Sequence, residues 1–107
     1  MIVTTTDSVD GRQVTQYLGV VSGDAVLGTN IFKDMFASIR DVVGGRAASY
    51  EKVLQEGKDM ALADMVERAQ ALGANAVIGV DLDYEVIGGD NKTLLMVSVN
   101  GTAVKLG

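Results

Sequence analysis

Asn75-Ala76-Val77-Ile78-Gly79-Val80-Asp81-Leu82-Asp83-Tyr84-Glu85-Val86-Ile87 is the stretch on which the fold turns. Side chains alternate across a strand. Read as one, it sets Ala76, Ile78, Val80, Leu82, Tyr84 and Val86 on one face and Asp81, Asp83 and Glu85 on the other. Upstream, Tyr50, Val53, Leu54, Gly57, Ala61, Met65, Ala69 and Leu72 recur at the 3.6-residue period, which predicts a long helix over residues 50–72. Ser49 is placed to cap it and Gly73 to close it. At ~1.5 Å per residue the helix is ~35 Å long. A strand over residues 76–87 spans ~40 Å at ~3.3 Å per residue, so helix and strand can lie along each other.

Downstream, Gly88-Gly89-Asp90-Asn91-Lys92 reads as a turn and residues 93–105 as the returning strand. Leu95, Val97, Val99 and Ala103 form its apolar face; Met96, Ser98, Asn100 and Thr102 form the other. The two apolar faces coincide only if paired residue numbers add to an odd sum. A sum of 181 leaves a sensible loop and sets Asp81 opposite Asn100, Asp83 opposite Ser98 and Glu85 opposite Met96.

Working back, residues 2–5 read as a short β-branched strand and residues 7–11 as a polar turn. Residues 16–27 form a second long strand, with Leu18, Val20 and Val26 on one side and Tyr17, Val21, Ala25 and Leu27 on the other. Both sides are largely apolar, whereas a strand covered on one face alternates more cleanly. Its second face therefore needs a cover. Thr29 or Asn30 can cap a short helix over residues 31–42, ended by Gly44-Gly45. The expected architecture is a single α+β domain over residues 1–107, an antiparallel sheet packed on one long helix plus a short helix, in the order β-β-α-α-β-β.

Composition removes whole classes of function. The chain has no Cys and no His, which excludes disulfides, thiolate chemistry and the commonest general base. A net charge of −5 opposes nucleic-acid binding, which relies on basic patches. No apolar run approaches the ~20 residues of a membrane span. The start Met1-Ile2-Val3 has no basic, signal-like character, so the expected compartment is the cytoplasm.

Several stretches in this order resemble the YbjQ-like family, whose prokaryotic members carry a heavy-metal-binding label. They are residues 18–23 (LGVVSG), 36–46 (FASIRDVVGGR), 50–51 (YE), 72–80 (LGANAVIGV), 83–84 (DY) and 96–103 (MVSVNGTA). The resemblance covers essentially the whole chain. It implies a fold related to the dodecin type, assembled as a homopentamer, which would supply the missing cover for residues 16–27. It also implies a metal role. Soft metals favour sulfur, and without Cys the chain's oxygen ligands suit Ca²⁺, Mg²⁺ or Mn²⁺ instead.

Two sets of residues are candidates for binding. Asp81, Asp83 and Glu85, with Asn100, form an acidic row for a divalent cation. Alternate carboxylates on a strand lie ~6.5–7 Å apart, so two of them with Asn100 or water are the feasible set, against a solvated face or polar contacts between subunits as the plain alternative. Arg40 and Arg46 bracket Gly44-Gly45 close to a helix start and could hold an anion through guanidinium and backbone N–H groups, against a helix stop with the arginines paired to Asp34, Asp41, Glu51 or a neighbouring subunit as the plain alternative. Gly19 and Gly23 would admit either a flat ligand or a closely packed helix. Tyr17, Tyr50 and Tyr84 lack a partner base, and Met35, Met60, Met65 and Met96 fit packing better than thioether ligation. No nucleophile–base pair is visible. The expected function is a non-enzymatic homo-oligomeric domain binding a metal ion or small ligand, with a ligand-free interaction ring as the alternative.

Overall fold

β5 (Ala76–Gly89) and β6 (Lys92–Leu106) form an antiparallel hairpin at the centre of the sheet. The structure, a computed structural model, describes residues 1–28, 42–43, 46–89 and 92–107, with side chains at 1–28, 51–88 and 93–107. β2 (Val14–Leu27) pairs antiparallel with β6 on the far side, and β1 (Ile2–Val3) pairs parallel with the start of β5. The strand order is β1-β5-β6-β2. β3 (Val42–Val43) and β4 (Arg46–Ala47) make a separate two-stranded ladder leading into α1 (Ala48–Ala71).

The sheet is mixed, not wholly antiparallel as the sequence suggested. The N-terminal segment runs beside the start of β5, where Thr4 N–H donates to the Val77 carbonyl (3.0 Å) and Val80 N–H to the Thr4 carbonyl (3.1 Å). Alternation within a segment carries no information about such a distant partner. Most of the short helix expected over residues 31–42 lies outside the described residues; its final position, Val42, is strand and pairs with Ala47.

The expected register holds from Asp81 onward, with Asp81 opposite Asn100, Asp83 opposite Ser98 and Glu85 opposite Met96. Below it the register shifts, and Ala76, Val77 and Ile78 pair with Val104, Ala103 and Thr102. Gly79, at φ 60°, absorbs the extra residue. Val77, Val80 and Leu82 thus belong to the helix-side core, whereas Ala76 and Ile78 join a second cluster with Val104 and Leu106 on the opposite face. β2 has a matching irregularity at Gly19 (φ 124°), so Leu18 packs with the helix-side core and not beside Val20 as expected. Each glycine sits where an L side chain would be strained.

α1 buries Gly57, Ala61, Met65 and Ala69, one every fourth residue, against β2 and β6. Small residues bring the helix close. A Cβ at Gly23 would overlap the Ala61 carbonyl oxygen and sit 2.6 Å from the Met65 backbone nitrogen. Gly23 is therefore occupied by helix packing and leaves no room for a flat ligand. Leu72 lies beyond the last helical turn and is exposed.

Candidate functional site

The outer face of the sheet, opposite α1, carries the acidic row. Cross-strand partners share a face, which gives three successive rows across the three long strands. Asp81, Asn100 and Ser22 form the first; Asp83, Ser98 and Asp24 the second; Glu85, Met96 and Val26 the third. The structure thus brings Asn100 beside Asp81, as expected. It also adds Asp24, which the sequence reading passed over. Its signal is its even position in β2, which places it on the outer face only once β2 is paired with β6.

The three β5 carboxylates are exposed, and no described side chain hydrogen-bonds or ion-pairs with them. Strands are ~4.8 Å apart and alternate residues ~6.5–7 Å, so the carboxylates line up without converging. Among the described residues no three acidic, His or Cys side chains come together at one point. This donor set does not fit a heavy metal. Soft ions need sulfur or imidazole, and the described thioethers are dispersed. Met65 is fully buried in the core, Met60 is exposed on α1, and Met96 is half-buried on the outer face. Weak attraction of hard cations is what the row can provide within one chain.

Arg40, Gly44 and Gly45 of the proposed anion site lie outside the described residues; Arg46 is in β4 and its side chain is not described. Tyr17 and Tyr84 are exposed and have no hydrogen-bond partner among the described residues.

Beside the carboxylates lies apolar surface. Every residue from 81 to 88 is exposed except Leu82, which is half-buried. That half-strand shows Tyr84 and Val86 on the helix side, beyond the reach of α1, and Ile87 on the outer side. Its edge away from β6 has no described strand partner. On the outer face, Val20 is 81% exposed and Val26 57%. β2 forms the opposite edge, where α1 satisfies two backbone groups. Asp64 accepts from the Asp24 N–H (3.2 Å), and Arg68 donates to the Ser22 carbonyl (3.1 Å). No helix among the described residues is long and apolar enough to cross a membrane.

A family model described as "Putative heavy-metal-binding" matches residues 1–107. Among solved structures, this chain is similar to a protein with unknown function of the DUF74 family from Pediococcus pentosaceus. The TM-score is 0.70 at 18% identity, covering 100% of this chain and 98% of that one. At that identity the likeness shows the fold.

Proposed function

The chain belongs to the YbjQ family, and from that premise we propose that it works as a non-enzymatic homo-oligomer, a pentameric ring of its own copies. The observation that carries this reading is the half-strand 81–88, open on both faces and along its edge while bearing Tyr84, Val86 and Ile87. Burying each such side chain fully contributes roughly 1.5–3 kcal/mol, and long apolar edges left open invite pairing. The sheet exposes two unlike edges, the half of β5 that runs beyond β1 and, on the other side, β2. An interface joining unlike surfaces gives a ring when its rotation closes and an open filament when it does not, whereas a two-fold dimer uses one surface twice. Sedimentation at micromolar concentration tests the ring. A species of five times 11.2 kDa is expected, and a single well-folded monomer or a two-fold dimer overturns the reading.

In the ring the row of Asp81, Asp83 and Glu85 with Asn100 recurs in every subunit, and the divalent cation it suits is hard. Calorimetric titration with Mg²⁺, Ca²⁺, Mn²⁺, Zn²⁺ and Cu²⁺ separates this role from a ligand-free interaction ring. Heat and thermal stabilisation with the hard ions support the cation role. Neither effect with any ion leaves the ring without it.

A further inference from the structure

A cleft on the helix side of β5 points to a ligand of a different kind. Because α1 lies over β2 and β6, it leaves a gap beside β5, and the N-terminal segment closes the far side. The cleft holds about 190 Å³. Leu62, Val80, Leu82 and Val3 supply apolar walls, Thr4 and Thr5 line its rim, and Lys58 is its single charged group. The walls are preformed. Thr4 is tied to β5 by the two backbone hydrogen bonds above, and Gly79 N–H donates to the Thr6 carbonyl at 2.8 Å.

Lys58 and Leu62 stand four residues apart on α1, so they share one side of the helix. Lys58 is half-buried, and no carboxylate or other polar group among the described residues pairs with it. The Thr4 hydroxyl is already engaged with that of Thr6 (2.8 Å), while the Thr5 hydroxyl has no partner. One ammonium, one available hydroxyl and apolar walls match one anionic head on a short alkyl chain. A phosphate would be served poorly by a single Lys without guanidinium or clustered N–H donors. The volume is below the ~300 Å³ at which drug-sized pockets begin. A volume of this size suits a short alkyl chain and excludes a drug-sized ligand.

We propose that this cleft binds a short aliphatic monocarboxylate, with Lys58 holding the carboxylate and Leu62, Val80 and Leu82 the chain. The site lies on the face opposite the acidic row and depends on neither the ring nor a cation. The competing account is that the Lys58 stem lies along apolar surface with its charge in water.

Amide chemical-shift titration of the intact protein with sodium hexanoate and with hexanol decides between them. For a ligand this small an affinity on the order of 1 mM is expected, with shifts confined to residues 3–5, 58, 62, 80 and 82. Lys58→Met is expected to weaken hexanoate about fivefold, as for a part-exposed ion pair, and to leave hexanol unchanged. The proposal fails if hexanoate produces no saturable shifts there, if the shifts lie elsewhere, or if Lys58→Met binds hexanoate as well as wild type. Because Lys58 is half-exposed, the variant keeps its fold, which the unchanged remainder of the spectrum verifies.

Discussion

The two halves of β5 are built from similar residues and meet opposite fates. From Ala76 to Val80 every residue but Gly79 is buried. The helix-side core takes Val77 and Val80, and the N-terminal segment covers Ala76 and Ile78 through Ile2, Val9 and Val14. From residue 81 to 88 the same strand continues, with the same partner, and is left open. The difference lies in what the rest of the chain brings to each half, not in the strand's own sequence. Apolar side chains at Tyr84, Val86 and Ile87 have no function within one subunit that the described contacts explain. In the proposed ring they are the surface that a second copy would cover.

Valine-to-alanine substitutions at the two ends of the strand sharpen the contrast most. Val77 is fully buried and Val86 is 56% exposed. In urea denaturation Val77→Ala is expected to lose about 2–3 kcal/mol, from lost burial plus the cavity left behind. Val86→Ala should stay within about 0.5 kcal/mol in the dissociated chain while raising the concentration needed for assembly. Equal losses in the monomer would break the comparison.

Glycines on the same hairpin give the next largest effect. A Cβ at Gly101 would come 2.7 Å from Val77 Cγ1 and 3.1 Å from the Ile78 carbonyl oxygen, whereas at Gly88 it would meet nothing within 4 Å. Gly101→Ala should destabilise by about 1–2 kcal/mol through overpacking. Gly88→Ala should be nearly neutral by thermal melting of the same dissociated species. Smaller again is the tie at the buried end. The Asn75 side chain accepts from the Leu106 N–H (2.7 Å) and donates to the Leu106 carbonyl (3.1 Å). Asn75→Ala should cost about 1 kcal/mol and speed amide exchange at Leu106. The smallest effect is expected at the β2 edge, where Asp64→Ala removes the acceptor of the Asp24 N–H. Within about 0.5 kcal/mol of wild type is expected, as for other exposed charged contacts.

Much of this division could be read from residue order. Alternation in residues 81–87 and 94–100 fixed the hairpin register, and the spacing of Gly57, Ala61, Met65 and Ala69 fixed the buried side of α1. The bulge at Gly79 escaped because residues 76–80 are apolar in both phases, so a one-residue shift leaves no polar residue out of place. The parallel pairing of β1 escaped because nothing local encodes a partner more than seventy residues away. At the acidic row, the identity of the β5 carboxylates and Asn100 was legible. Their failure to converge follows from strand spacing and was visible in advance, whereas Asp24 needed the β2–β6 register. The Lys58 cleft could not be foreseen, because it depends on where α1 stops covering the sheet.

Hydrogen exchange along β5, followed across a dilution series, tests the central claim most directly. At concentrations where copies associate, the amides of residues 81–88 that point away from β6 should exchange slowly, and dilution should release them while residues 76–78 stay protected. Fast exchange of those edge amides at every concentration would contradict the claim that a second copy completes this half of the strand.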